Sequence, residues 1–366
     1  MYRIICFLSG LLATAPVVGQ NYELTRNVNS QFDEQNPLLS PDGKYLFFTV
    51  AHNNNNIGGK KDKGDIWYAI WQDSVWSMPF HGGRVINNEG WNGIVGYTLD
   101  GSILLHHHYT DNKQGLSISK FKGDYWEKPV NVEIPYFLNR SEYQSASISP
   151  NGSVMLLSLE SYTTRGAEDI YVSFKMGADW SEPKNIGSVI NTPYQELTPF
   201  IAEDNATIYF TSNGHKGKGS MDVFMSKRLD DSWLNWSAPV NVDEINTEGR
   251  ELHFSFDAAS NMALFISTTD SDGYGDIKFQ ELKQPQNIDV RDTSPLQAIV
   301  SIRKRSQEEV SATVQSQALT GQFETVIVKD SSDAYVLKVA SKGYLPVLFQ
   351  FTMDSLQSGT LQRDFM

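Results

Sequence analysis

Along the first 283 residues, a polar turn hands over again and again to a continuous apolar run, which is followed by a shorter, half-apolar one. The long runs are "SPDGKYLFFT" (40–49), "TLDGSILLHH" (98–107), "SPNGSVMLLS" (149–158), "AEDNATIYFT" (202–211) and the weaker "AASNMALFIS" (258–267). The shorter runs are "GDIWYA" (64–69), "GLSISK" (115–120), "EDIYVS" (168–173), "MDVFMS" (221–226) and "GDIKFQ" (275–280). A third station follows as "WSMP" (76–79), "WEKP" (126–129), "WSEP" (180–183) and "WSAP" (236–239), trailed by Asn87, Asn139, Asn191 and Asn246. A repeat of roughly fifty to sixty residues holding several short strands is the signature of a β-propeller with one four-stranded blade per repeat.

Each station has a physical reading. In "SPDG" the proline fixes φ and the glycine is free to take φ > 0, so the chain reverses into a strand buried on both faces. The station aspartates Asp65, Asp169, Asp222 and Asp276 are expected to accept hydrogen bonds from loop amides, with Leu116 standing at that place in the second repeat. The tryptophans Trp76, Trp126, Trp180 and Trp236 offer large rigid apolar area for packing one blade on the next. The proline three residues later suits an outer edge strand.

The fifth repeat stops after "GDIKFQ" without a W-x-x-P or an asparagine station. Its missing asparagine lies at the other end of the chain, where "NSQFDEQNP" (29–37) lines up with "NTPYQELTP" (191–199). Both chain ends are therefore expected to share the last sheet, with residues near 22–28 as its outer strand, which removes an open edge. The pattern predicts an all-β protein: a five-bladed propeller over residues 20–283, then a small β-sandwich over 287–352 built from "PLQAIVSIRK", "TGQFETVIV" and "YVLKVASKGYLPVLFQF", with 353–366 as a polar tail. Residues 1–19, with Arg3 ahead of the apolar "IICFLSGLLA", read as a secretory signal peptide too short to span a bilayer.

Composition narrows the function. Acidic residues outnumber basic ones 43 to 30, a net charge of −13, so a nucleic-acid groove is disfavoured. The one cysteine, Cys6, lies in the leader, so the exported chain is expected to have no disulfide and no cysteine-based metal site. No stretch after residue 20 is apolar enough to form a transmembrane segment.

The repeat D-G-x-x-L-F-F-T, G-x-D-I-[WY], W-S-x-P, I-N resembles the TolB-like propeller repeats of Bacteroidetes-type envelope proteins. The segment with "PLQAIVSI", "GQF" and "VASKGYLP" resembles a carboxypeptidase regulatory-like domain. Proteins of this layout include envelope components associated with type IX secretion and usually continue into an OmpA-type domain that grips peptidoglycan. This sequence ends at Met366 without one, so peptidoglycan binding is not carried over. The resemblance implies a periplasmic location, with secreted or outer-membrane-associated as the alternative, and envelope proteins as partners.

No G-x-S-x-G, H-E-x-x-H or phosphate-binding loop occurs, and neither a catalytic residue, a cofactor nor a metal is expected. His106 and His108 would share one strand face and could chelate a metal, but no third ligand can be placed beside them. "DSDGYGD" (270–276) copies part of a calcium loop without its closing glutamate. Glu196 and Glu251 line up with Glu34 and so belong to the repeat. Residues that depart from the repeat on the loops at the channel mouth are the better guide: Trp91, Asn92, Arg140, Tyr143, Tyr194 and Arg250, arginines and aromatics being favoured contact residues. The reading is a non-enzymatic binding or scaffold protein, with a carbohydrate-binding or glycoside-hydrolysing propeller as the alternative.

Overall fold

The computed structural model describes residues 25–98, 101–106, 114–258 and 260–282, and the backbone of six further strands between 298 and 365. The leader, residues 20–24, His107, His108 and the linker at 283–286 lie outside the described residues.

Five antiparallel sheets follow one another along residues 33–281, and each is a meander in which the chain steps outward strand by strand. The first blade contains β1 (Asp33–Leu39), β2 (Tyr45–Ala51), β3 (Asp65–Gln72) and the short outer pieces β4 (Val75–Trp76) and β5 (Phe80–His81). The second contains β6 (Gly93–Tyr97), β7 (Ile103–His106), β8 (Leu116–Ser119) and β9 (Val130–Val132). The third contains β10 (Ser145–Ile148), β11 (Val154–Leu159), β12 (Asp169–Met176), β13 (Asp179–Trp180) and β14 (Lys184–Asn185). The fourth contains β15 (Glu196–Ile201), β16 (Thr207–Ser212), β17 (Asp222–Lys227) and β18 (Val240–Asn241), and the fifth β19 (Glu251–Asp257), β20 (Met262–Ser267) and β21 (Asp276–Glu281). The protein is thus a nearly all-β chain built on a five-bladed propeller.

The second strands β2, β11, β16 and β20 are the apolar runs of the sequence, and nearly every residue in them is buried. Because side chains alternate across a strand, a continuous apolar run needs neighbours on both faces, and the adjacent blades supply them. Four tryptophans make those contacts in one sense round the ring. Trp126 of the second blade sits among Phe47, Ile66 and Ile86 of the first, Trp180 joins the second-blade cluster of Leu104 and Leu116, and Trp236 of the fourth packs with Ile170 and Ile186 of the third. Trp76 of the first blade meets Leu264, Ile277 and Phe279 of the fifth. At the junction of blades four and five, where no station tryptophan exists, Tyr209 stacks on Phe254 at 4.4 Å and Leu282 is buried beside them.

The asparagine stations clamp the third strands. Asn87 Oδ1 accepts the Ile66 N–H at 2.8 Å while its Nδ2 donates to the Ile66 carbonyl at 3.1 Å, and Asn191 and Asn246 treat Ile170 and Val223 in the same way. Asn29 does this to Ile277, 248 residues away: Oδ1 accepts from Ile277 N at 2.9 Å and Nδ2 donates to Ile277 O at 3.1 Å. Asp33 Oδ1 also accepts from Gly275 N at 2.8 Å, and Glu34 N–H donates to the Gly275 carbonyl at 2.9 Å. The ring is therefore closed by the start of the chain entering the fifth blade.

One expectation about that closure is corrected. Residues 25–28 are not an outer strand but a helical turn, with Val28 and Asn29 N–H both donating to Thr25 O and Val28 buried against Trp76. The same turn precedes the other clamps: Asn87 N–H donates to Gly83 O and Asn191 N–H to Gly187 O, with Ile86 and Ile190 buried as Val28 is. The asparagine has to reach back to the third strand, so the residues before it must turn rather than run extended. In the second blade Asn139 makes no such clamp, binding instead the Ser141 and Glu160 amides and the Tyr143 carbonyl.

Residues from 284 onward form a second compact unit. Its strands are β22 (Ala298–Lys304), β23 (Val310–Ser316), β24 (Phe323–Lys329), β25 (Ala334–Ser341), β26 (Val347–Thr352) and β27 (Thr360–Phe365), arranged as two three-stranded antiparallel sheets, β23-β22-β27 and β24-β25-β26. The segment expected to be a polar tail thus contributes a strand, β27, whose alternation in "TLQRDF" is that of an edge strand beside β22.

Replacing Trp180 by alanine is expected to lower propeller stability by about 3–5 kcal/mol, because it empties a site filled on all sides. Denaturant unfolding followed by circular dichroism checks this.

Candidate functional site

In each blade the first strand lines the central channel, and the loop from second to third strand opens on the same end as the loop from one blade to the next. That end carries the channel mouth. The channel is lined by the five inner strands, including Asn36, Ser145, Thr198 and His253, and by His106 at the end of the second strand β7.

Three inner strands bulge at equivalent points. The pairing with the second strand slips between Gln35 and Leu38, between Leu197 and Phe200, and between Leu252 and Ser255. The residues in those gaps, Asn36, Thr198 and His253, have φ of 49°, 45° and 53°. Left-handed backbone is unfavourable for a β-branched residue such as threonine, so neighbours must hold it. Thr198 N–H donates to Ser145 Oγ of the third blade at 2.8 Å, and Thr198 Oγ1 shares a hydrogen bond with Thr211 Oγ1 at 2.8 Å. His253 N–H donates to Thr198 Oγ1 at 3.2 Å, and Ser255 Oγ donates to the Pro37 carbonyl at 2.9 Å. These bonds stitch blades three, four, five and one together around the throat. Pro37 and Pro199, which cannot donate to a ladder, follow two of the bulged residues.

The chemistry of the channel is that of a neutral polar wall. Among its described lining residues there is no aspartate, glutamate, lysine or arginine. Burial pulls the His253 imidazole down to about 3, so it stays uncharged. His106 is buried, its Nδ1 3.2 Å from the Gln144 amide nitrogen and its ring 5.1 Å from Trp91. The hydroxyls of Ser145 and Ser255 are already engaged, as above, and among the described residues no group of three or more histidine, cysteine or carboxylate side chains is placed to hold a metal.

The carboxylates lie one layer out, at the head of the inner strands, and they serve the loops. Glu34 accepts from the Ser30 hydroxyl and amide at 2.6 and 3.3 Å, Glu196 from those of Thr192 at 2.7 and 2.8 Å, and Glu251 from those of Thr247 at 2.7 and 2.9 Å. Burial, reinforced by Asp276 and Asp33, outweighs the two Ser30 donors and pushes Glu34 up to about 9, and burial likewise raises Glu196. The station aspartates tie loop to outer strand. Asp65 Oδ2 accepts from Ile57 N–H at 2.6 Å and meets His81 Nε2 at 2.8 Å, and Asp169 Oδ2 accepts from Arg165 N–H and Asn185 Nδ2. Asp222 accepts from the Lys218 and Gly219 amides at 3.0 Å. Asp276 instead lies 3.6 Å from Lys278 Nζ.

The six mouth residues singled out from sequence divide in two. Arg140, Tyr143, Tyr194 and Arg250 are exposed. Asn92 is not: it is fully buried at the station of Glu34 and Glu196, its Oδ1 accepting from Asn88 N–H at 2.8 Å, and it leaves the set of contact residues. Trp91 is half-buried, its Nε1 donating to Gln35 Oε1 at 2.9 Å, and a β-carbon on Gly64 would come within 3.0 Å of its ring. It is a wedge between blades one and two.

Three mouth tyrosines escaped the sequence reading. Tyr136, Tyr162 and Tyr274 sit on loops of this same face and, with Tyr143 and Tyr194, are 52–76 % exposed. Their signal was present, since each is a tyrosine outside any repeat station. Glu168 was also passed over. It occupies the place held by Gly64, Gly115, Met221 and Gly275 in the other blades, and it is buried.

No protein-family model matches the chain, and no curated protein matches it. Among solved structures it is similar to the α-L-arabinofuranosidase of Lactobacillus brevis, with 12 % identity over 72 % of this chain and 95 % of that one and a TM-score of 0.44. A glycosyl hydrolase of Bacteroides ovatus gives 11 % identity over 74 % and 92 %, with a TM-score of 0.39. The tricorn protease gives 11 % identity over 89 % of this chain but 32 % of its own length, with a TM-score of 0.40.

The two shifted groups predict a bell-shaped stability profile. Glu34, raised from 4.5 to about 9, binds its proton more tightly when folded, so its contribution is full below pH 4.5 and is lost as pH rises towards 9. His253, lowered from 6.5 to about 3, favours the folded state above pH 6.5 and loses that contribution as pH falls towards 3. Thermal midpoints should therefore peak between about pH 4.5 and 6.5. Glu34→Gln should flatten the alkaline limb, although Asp62, Asp169 and Asp276, also raised by burial, keep some of it, and His253→Gln should flatten the acid limb.

Proposed function

We propose that the protein is a non-enzymatic binding or scaffold component of a bacterial envelope assembly, exported to the periplasm and working through protein contacts at the channel mouth. The observation that carries this reading is the contrast between the two parts of that face. The described channel wall offers no carboxylate, whereas glycoside cleavage needs two facing one another. The rim, by comparison, displays five tyrosines on four loops. Tyrosine gives wide, rigid, amphipathic contact at small entropic loss, which is why it dominates surfaces evolved for recognition.

Composition of the loops supports the same use. The mouth tyrosines stand among serines, threonines, asparagines and arginines, and the exposed leucines and methionines lie elsewhere, on the opposite turns at Met176, Leu229 and Leu234 and beside the first outer strand at Met78. A surface of this kind suits a polar, specific and reversible contact better than permanent oligomer burial. The TolB-like character of the repeat and the regulatory-like character of the C-terminal unit favour an envelope setting, and no helix among the described residues is long and apolar enough to cross a membrane. The glycan-active alternative would need an acid pair from outside the described lining.

A photo-crosslinking amino acid placed at Tyr194 is expected to capture envelope proteins in intact cells, while the same group at Tyr125, on the opposite face, captures none of them. Equal capture from both faces, or turnover of any substrate on a glycan panel, would contradict the reading.

A further inference from the structure

Three successive mouth loops, 139–144, 160–168 and 192–196, are joined by one buried side chain that the repeat does not require. Glu168 accepts from the Ser141 hydroxyl with one oxygen and from Gln195 Nε2, at 2.9 Å, with the other. Ser141 Oγ in turn accepts the Tyr143 N–H at 2.9 Å, and Ala167 N–H donates to the Tyr194 carbonyl at 2.9 Å. Gly166 packs so tightly under that peptide that a β-carbon would lie 2.1 Å from the Tyr194 oxygen. Tyr143 and Tyr194 thus project from loops fixed by hydrogen bonds, 63 % and 60 % exposed.

The same loops carry two arginines. The Arg140 guanidinium lies over the Tyr162 ring at 5.4 Å, a stacked arrangement that leaves its donors available, and Arg165 is exposed. Neither is in a salt bridge among the described residues, although Lys63 nearby is paired with Glu142 at 3.2 Å. On a chain of net charge −13, these two exposed arginines stand among tyrosines on fixed loops, Arg165 also acting on the buried Asp169 behind it, and Glu142 and Glu168 of the same loops are already engaged by Lys63 and by Ser141 and Gln195.

We propose that this sector, Arg140, Tyr143, Tyr162, Arg165 and Tyr194, is the docking site for an acidic polypeptide segment of the partner, and that Glu168 is the residue that positions it. The proposal rests on the mouth-binding reading above and gives it a partner chemistry. Carboxylates accept bidentate bonds from arginine, and the tyrosine faces cover the adjoining backbone. The preformed loops spare the partner the entropy of ordering them.

A phage-displayed dodecapeptide library panned on the full chain tests it. Selected peptides should be enriched in aspartate and glutamate, and the enrichment should vanish on an Arg140→Gln/Arg165→Gln variant of unchanged thermal midpoint. The tightest selected peptide should lose on the order of thirtyfold in affinity on Tyr143→Ala or Tyr194→Ala. Its binding should weaken as salt is raised. Glu168→Ala should weaken it while Glu168→Gln, which keeps a hydrogen-bonding amide in place, restores part of the loss. Neutral or basic selected peptides, or the same peptides on the arginine variant, would overturn the proposal, as would binding of polygalacturonate through these residues with no peptide selected. If crosslinking at Tyr194 still captures envelope proteins while acidic peptides are not selected, the partner chemistry falls and the mouth-binding reading stands.

Discussion

A pair of hydrogen bonds from an asparagine side chain to the backbone of a neighbouring third strand is the constraint on which this ring depends. It occurs in four of the five blades, and in the copy made by Asn29 to Ile277 it joins parts of the chain 248 residues apart. The side-chain amide copies a peptide group, so it extends the strand's ladder by one rung while turning the chain inward to begin the next blade. Every later feature inherits its placement from that rung. The buried glutamate or its substitute stands five residues on, as in Glu34, Asn92, Glu196 and Glu251, and the bulged channel residues Asn36, Thr198 and His253 come two further.

The division of labour follows. Stations that recur are buried and hold blades to one another, as the tryptophans do through inter-blade clusters. Departures from the repeat are free to serve recognition. The second blade departs most: Leu116 replaces the station aspartate, Asn139 gives up its clamp, and its loop is instead ordered by Glu168 from the next blade. There the surface gathers its arginines and tyrosines.

Blade count, the meeting of both chain ends in the last blade and the packing of the tryptophan stations were legible because each is written several times, so chance resemblance is averaged away; of the station aspartates, Asp65, Asp169 and Asp222 take loop amides as expected, whereas Asp276 meets Lys278. The turn at 25–28 departs from the expected strand because a buried aliphatic stands directly before each clamping asparagine, Val28, Ile86, Ile190 and Ile245, and it is this spacing that marks a turn. Asn92 was misread because its loop looks singular in sequence while its side chain occupies a repeated, buried place. The channel bulges left almost no trace, since φ is not encoded by Asn, Thr and His in any shared way, and only Pro37 and Pro199 hint at them. The strand at Thr360–Phe365 was hidden because an edge strand needs only one apolar face and "TLQRDF" offers few apolar residues.

The closure is tested most directly by amide hydrogen exchange at Ile277 in Asn29→Ala compared with the wild-type protein. The Ile277 N–H is expected to lose protection, together with β21 and the start of β1, while the amides of β7 and β11 in the opposite blades keep theirs until global unfolding. Unchanged protection at Ile277, or an equal loss in all five blades, would contradict a closure that depends on this rung.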